Sequence, residues 1–178
     1  MSDATHDALL RGLAAGEESA FVALYDRFGS ALFRTALGLI GAREEAEDAV
    51  QDVFVGLVQA RGRLTEVHDL KAYLFTALRH AAVRLRAQLR KQPLAEVNGL
   101  AGPGAPEESS ERGVRLEKAL QTLPTEQREA LVLKVTGGLT FAELAAVLGV
   151  GENTVASRYR YALEKLRSAL GVKPCGAS

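Results

Sequence analysis

Thr140-Phe141-Ala142-Glu143-Leu144-Ala145-Ala146-Val147-Leu148-Gly149-Val150-Gly151-Glu152-Asn153-Thr154-Val155-Ala156-Ser157-Arg158-Tyr159-Arg160 is the stretch that decides the fold. Thr140 followed three residues later by Glu143 is the pattern of a capping box, in which each side chain satisfies the other residue's backbone amide. Ala145 is small enough for a second helix to approach closely, and Gly149 supplies the positive φ that a tight turn needs. The second helix, with Asn153 expected as its cap, runs to about Leu170. Leu144, Leu148, Val150 and Val155 are the expected shared core, and Tyr159, Ala162, Leu166 and Leu170 continue the inward stripe. The opposite face carries Thr154, Ser157, Arg158, Arg160, Tyr161, Lys165 and Arg167. Cap, small residue, glycine turn and arginine-rich helix in that order read as a helix-turn-helix. A recognition helix sets its first polar residues on base edges and its cations on bases and phosphates. Asn153, Thr154, Ser157, Arg158, Arg160 and Lys165 are therefore the candidate duplex contacts, with Arg158 placed to pair bidentately with guanine. The plainer alternative is a helical hairpin with a solvated basic face.

Upstream of this motif the pattern stays helical. Residues 112–120 lead to Leu123-Pro124, Thr125 is placed to cap a helix through Val135, and Gly137-Gly138 breaks it. Residues 92–111 hold three prolines, three glycines and few large apolar residues, the composition of a mildly acidic, flexible linker. The boundaries expected from this reading are a first domain at 1–91, a linker at 92–111 and a second domain at 112–173.

The first domain also reads as all helix. A short helix is expected over Asp7 to Ala14. A longer one follows Gly16, with Ser19 near its cap, an apolar stripe of Phe21, Leu24, Tyr25, Phe28, Leu32, Ala36 and Leu39, and a stop at Gly41. A third spans Arg43 to Gln59, apolar at Ala46, Val50, Val53, Phe54 and Leu57 and polar at Glu47, Asp48, Gln51 and Asp52. A loop at 62–69 precedes a fourth helix from about Asp69 to Arg90. Residues 71–91 contain no acid but six cations, Lys71, Arg79, Arg84, Arg86, Arg90 and Lys91. At about 100° per residue, Arg79, Arg86 and Arg90 share one expected exposed stripe, and Tyr73, His80, Arg84 and Lys91 share its neighbour.

The formal net charge is zero, yet the charge is unevenly placed. Residues 1–90 carry 11 Lys+Arg against 12 Asp+Glu, residues 91–111 carry 1 against 4, and residues 112–178 carry 10 against 6. A phosphate-binding surface needs local positive charge only, so global neutrality does not exclude nucleic acid. The apolar share of 47% is enough for a packed core. No run is long enough to insert in a membrane, and residues 1–16 lack the basic and apolar blocks of a signal peptide. The single Cys175 allows neither an internal disulfide nor a cysteine metal cluster, and His6, His68 and His80 are dispersed. There is no glycine-rich phosphate loop and no triad order. The expectation is a cytoplasmic protein without catalytic residues, metal or cofactor.

Two sets of motifs carry a resemblance. Residues 120–131, with Leu123-Pro124-Thr125-Glu126-Gln127-Arg128 at their centre, and residues 138–145 resemble domain four of the extracytoplasmic-function sigma factors of bacterial RNA polymerase. Residues 20–28, 45–54 and 72–79 resemble domain two of the same family. The resemblance implies an all-α protein of two helical domains, a domain-two four-helix bundle and a domain-four helix-turn-helix. It implies that Glu47, Asp48, Gln51, Asp52 and Phe54 mark the surface that docks on the clamp of the polymerase largest subunit, with Phe54 mostly buried. It also implies that Lys71, Tyr73, Arg79, His80, Arg84, Arg86 and Arg90 recognise and open the minus-ten promoter element, while domain four reads the minus-thirty-five element. An opened strand needs its charge neutralised and its bases held on aromatic or polar pockets, which these residue types supply. The resemblance also implies that the acidic linker threads the RNA exit path, where Glu96, Glu107, Glu108 and Glu111 would mimic RNA charge; a solvated tether is the alternative. An anti-sigma partner is expected as well. Tyr73, His80, Arg84 and Ala156 depart from common family choices, which bears on the promoter sequence read and not on the mode of binding. A stand-alone helix-turn-helix regulator is the competing reading, and a helical adaptor that binds only protein is a third.

Overall fold

Gly41 and Gly149 do the work expected of them. Both sit in the left-handed region, with φ of 82° and 67°, and both end a helix there. The computed structural model describes residues 3–89 and 111–171, which form α1 (Asp3–Ala15), α2 (Glu18–Ile40), α3 (Arg43–Gln59), a 3-10 helix (Arg61–Glu66), α4 (Leu70–Leu89), α5 (Glu111–Thr122), α6 (Thr125–Val135), α7 (Phe141–Leu148) and α8 (Glu152–Leu170). The expected linker falls on residues outside this description, apart from Glu111, which starts α5.

Several expected starts move by a residue or more. The cap of α2 is Glu17 in extended backbone with no side-chain cap bond, so Ser19 lies inside the helix. Pro124 precedes α6 and Thr125 is its first residue, because proline's fixed φ suits the entry to a helix. Gly151 caps α8 through its backbone, which leaves Asn153 in the first turn. The expected loop at 62–69 is largely the 3-10 helix, which packs on α1 through buried Leu64. Asp69 does open α4, its Oδ1 accepting the Ala72 amide at 2.9 Å.

In the first half, Leu24, Leu32, Ala36 and Leu39 of α2 meet Ala46, Val50, Val53 and Leu57 of α3 and Leu74, Leu78 and Ala82 of α4. Each fully buried leucine contributes about 1.5–3 kcal/mol of transfer free energy. Tyr25 departs from its expected place in this stripe and is 58% exposed. In the second half, α6 and α7 carry buried Leu133, Leu144 and Leu148 against Val155 of α8, while Leu123, Leu131 and Ala162 close a smaller cluster nearer α5.

The two halves share the larger core. Buried Phe75 and Ala36 belong to the same apolar cluster as Val132, Leu133 and Leu139. Helix α2 packs on α5 and α6, and α4 packs on α7. Glycine makes the approach possible at two points. A Cβ on Gly38 would stand 2.9 Å from Val132 Cγ1, and one on Gly137 would stand 2.9 Å from the Phe75 ring. Between them, buried Thr35 donates its hydroxyl to Thr136 Oγ1 at 2.7 Å, since the Thr136 hydroxyl proton is already directed to the Val132 carbonyl, also at 2.7 Å.

Candidate nucleic-acid interface

The helix-turn-helix is built by local chemistry. Thr140 Oγ1 accepts the Glu143 amide at 3.1 Å and Glu143 Oε2 accepts the Thr140 amide at 2.6 Å, so both halves of the capping box form. The Val150 amide donates to the Ala145 carbonyl at 3.2 Å and closes the turn. Leu144, Leu148 and Val155 are buried as expected, with Val150 packed at their edge. Phe141 meets Tyr159 edge-on at 5.8 Å between centroids, which fixes the angle of α8 on α7. That angle leaves one face of α8 outside. Asn153, Thr154, Arg160, Tyr161, Lys165 and Arg167 are exposed there, with Ser157 and Arg158 half-buried between them. The Arg160 guanidinium lies 5.1 Å from the Tyr161 ring centroid, within cation–π range.

Glu143 ties this motif to α4. Burial raises its pKa, but hydrogen bonds from the backbone and side chain of Thr140 and the charge and hydrogen bond of Lys71 outweigh that effect. The net result is a carboxyl below its ordinary value of 4.5.

Helix α4 divides its cations between two environments. Tyr73, His80 and Arg84 line a hollow of about 150 Å³ together with Asp52, and Arg84 pairs with the Asp52 carboxylate. An aromatic ring, an imidazole and a guanidinium around a small open hollow can receive an unstacked base. Arg79 and Arg86 do not form the exposed stripe expected of them, and Lys71 is engaged as well. Lys71 Nζ donates to the Gly138 carbonyl at 2.7 Å and stands 3.4 Å from Glu143 Oε2. Arg79 Nε lies 3.0 Å from Glu129 Oε2, and Arg86 donates to Gln121 Oε1 at 2.8 Å and to the Leu39 carbonyl at 2.6 Å. The expected stripe is covered because the second half packs across it. Arg90 lies outside the described residues.

A third surface opens between α2 and α3. Phe21, Tyr25, Phe33, Val50 and Phe54 line a groove of about 780 Å³ with Glu18, Arg43, Glu47 and Gln51 at its rim. Phe54 is half-buried and stacks at a tilt on Tyr25, 5.4 Å between centroids, so it is a wall of the groove and not part of the interior as expected. Glu47 and Gln51 join it, Asp48 is exposed, and Asp52 faces the α4 hollow instead. Phe21 and Tyr25 were missed as groove residues because aromatic side chains at helical spacing read as core, and Phe33 lay outside the expected stripe. The signal that could have separated them is their number, since a two-helix seam cannot bury them all.

Among the described residues no group of three or more His, Cys, Asp or Glu side chains could hold a metal ion. No helix there is long and apolar enough to cross a membrane.

Residues 24–92 match the family described as sigma-70 region 2, and residues 113–166 match sigma-70 region 4. The chain is 32% identical over 171 residues to the ECF RNA polymerase sigma factor SigL of Mycobacterium tuberculosis, covering 92% of this chain and 96% of that one. It is 33% identical over 144 residues to the ECF RNA polymerase sigma factor EcfG of Rhodopseudomonas palustris, 77% of each. Among solved structures it is similar to CnrH in complex with the cytosolic domain of CnrY, with a TM-score of 0.70, 26% identity, and 94% and 97% of the two chains covered. It is also similar to the sigma factor RpoE in complex with the anti-sigma factor NepR from Bartonella quintana, with a TM-score of 0.67, 27% identity, and 86% and 98% covered. Two sigma regions in family order, on a helical fold shared with these structures, place the chain among the ECF sigma factors, which direct RNA polymerase to promoters.

Proposed function

We propose that this sigma factor divides promoter recognition between its two halves and core binding between α2 and α3. The domains in this reading are 1–91, with core docking and the minus-ten element, a linker at 92–111, and 112–173 with the minus-thirty-five element. Asn153, Thr154, Ser157, Arg158, Arg160 and Lys165 meet the upstream duplex. Lys71, Tyr73, Arg79, His80, Arg84, Arg86 and Arg90 meet the minus-ten element, its opened bases entering the hollow of Tyr73, His80 and Arg84. The observation that carries the reading is the solvent-facing cationic side of α8, held in place by an intact capping box and glycine turn.

The aromatic groove supports the core contact. Glu47, Gln51 and Phe54 border it, exposed Asp48 lies beside them on α3, and Asp52 belongs to the core contact only by the family resemblance, since it faces the α4 hollow. An apolar trough with Glu18, Arg43, Glu47 and Gln51 at its rim suits an amphipathic partner helix. The chain acts without catalysis of its own and without a cofactor, in the cytoplasm where core polymerase is found. An anti-sigma factor is a further partner, by similarity to CnrH and RpoE, each of which was solved with a bound protein.

A stand-alone regulator is disfavoured, because residues 24–92 match sigma region 2 and leave no separate sensor domain in the first half. The deciding experiment is transcription in vitro with purified bacterial core polymerase on a promoter library. Start sites that appear only when this chain is added are expected. Core enzyme that gains no start site, or a chain that never co-purifies with it, would refute the reading.

A further inference from the structure

Tyr161 interrupts an otherwise polar surface. Asn153, Thr154, Glu164 and Lys165 are exposed on α8, and Tyr161, 46% exposed, is among the described residues the only large hydrophobic side chain of that helix to join them. At about 100° per residue, Thr154, Arg158, Tyr161 and Lys165 fall within about 60° of arc, one strip along a single helix face. Arg158, the candidate partner of guanine, is thus the neighbour of Tyr161 on that strip, one turn before it. Arg160 sits about 100° further round the helix. Its guanidinium lies over the Tyr161 ring, so a cation engages one side of the aromatic.

The base edges in the major groove are rows of donors and acceptors, and the apolar group among them is the thymine C5-methyl. An aromatic ring on a strip of polar and cationic side chains complements that methyl as a guanidinium complements guanine. Given α8 as the helix that reads the upstream duplex, we infer that Tyr161 selects a thymine there: its ring packs on the C5-methyl, and Arg160, held against the ring, meets the phosphate backbone at the groove wall. Arg158 and Tyr161 are three residues apart, about 4.5 Å along the axis. Successive base pairs rise about 3.4 Å. The thymine therefore stands one or two base pairs from the guanine that Arg158 reads, on either strand.

Holoenzyme assembled from core polymerase and the full chain, binding a promoter library randomised in the upstream element, reads both positions. Sequences bound by the wild type should carry a guanine and a thymine at that spacing. Arg158→Ala should relax only the guanine, and Tyr161→Ala only the thymine. Tyr161→Phe should keep both, because the ring and not the hydroxyl makes the contact. On the selected duplex, deoxyuridine in place of the thymine removes the methyl alone. Wild-type binding should weaken about fourfold, from roughly 0.8 kcal/mol for one buried methyl. Tyr161→Ala should bind the two duplexes equally. Arg160→Gln should weaken every sequence alike and lower the salt slope by about 0.9, the share of one phosphate contact.

A wild type that binds the thymine and deoxyuridine duplexes equally overturns the inference, as does a Tyr161→Ala that keeps the thymine preference. So does a Tyr161→Phe as weak as Tyr161→Ala on all sequences, which would make the hydroxyl a phosphate ligand. Each of these results leaves the reading of α8 standing as long as Arg158→Ala relaxes the guanine. If Arg158→Ala and Tyr161→Ala both leave the selected sequence unchanged, α8 is not the reading helix and the role of Tyr161 falls with it.

Discussion

Arg160 and Lys165 on α8 stand in solvent, whereas Lys71, Arg79 and Arg86 on α4 end on oxygens of the other half. The residue types are the same and the helices are alike in length, 19 and 20 residues. What differs is the neighbour. The face of α8 lies beyond the core that α6, α7 and α8 build among themselves, so among the described residues none covers it. Helix α4 lies between the halves and serves both as a core element and as a charged surface. A basic stripe read from spacing alone therefore says what a helix can bind, and the tertiary neighbour says what it is binding. Electrostatic attraction to DNA is not lost on α4; it is matched internally by Glu129 and Glu143.

The largest expected effect tests whether the two faces depend on one structure. Leu144 is fully buried in the shared core, and Leu144→Ala should cost about 2–5 kcal/mol through lost transfer energy and the cavity left behind. Because the larger apolar cluster runs through both halves, urea unfolding should remain a single transition shifted as a whole. Two transitions, with the first half unmoved, would mean that the α4 cover is marginal and the two faces are energetically separate.

Next comes the contrast between single arginines. Arg158→Ala should weaken recognition of the upstream element by about 1–3 kcal/mol and should not change how compact the free chain is. Arg79→Ala removes a cation that Glu129 already pairs, so its effect on DNA affinity should be smaller than that of Arg158→Ala. Competition binding with matched and mismatched upstream duplexes measures the first, and binding of a single-stranded oligonucleotide the second. Unchanged upstream preference would remove Arg158 from the interface. Smaller still is Thr140→Ala, which deletes one reciprocal cap bond and should cost about 1 kcal/mol, confined to α7 and the face it sets. A hydrogen-exchange map in which α4 loosens as much as α7 would show that the cap also holds the cover.

Much of this contrast could be read before any coordinates. The capping box at Thr140 and Glu143, the turns at Gly41 and Gly149, and the bounds of α3 follow from short-range chemistry, and short-range chemistry is fully written in adjacent residues. The expected cap at Asn153 failed because Gly151 satisfies the first turn of α8 through its backbone, with no side chain to advertise it. Thr125 yielded to Pro124 for a similar reason. The aromatic groove and the covered stripe of α4 were not legible, because both depend on partners far apart in sequence. Arg79 and Glu129 are 50 residues apart, and Lys71 and Glu143 are 72 apart. Periodicity places a residue on a face; it does not say which face of another helix will lie against it. The 3-10 helix escaped for a third reason, since Arg61–Glu66 is too short for any period to register.

The smallest effect isolates the charge that joins the two faces. Glu143→Gln keeps a side-chain oxygen for the Thr140 amide, so the cap survives, but it removes the carboxylate opposite Lys71. Both partners are partly exposed, so the loss should be only about 0.5 kcal/mol at neutral pH and low salt. Its pH dependence is the sharper reading. The carboxyl lies below 4.5 in the folded chain, which means that folding favours its ionised form. The stability it supplies is then complete above the ordinary carboxylate value and is lost as pH falls through the lower folded value. Wild type and Glu143→Gln should differ by a constant amount from pH 8 down to about 5, and the gap should close only below 4.5. Paired urea titrations across that range check it. A gap that persists undiminished at pH 3 would show that the difference comes from packing around the amide, and that Lys71 is held by the Gly138 carbonyl alone.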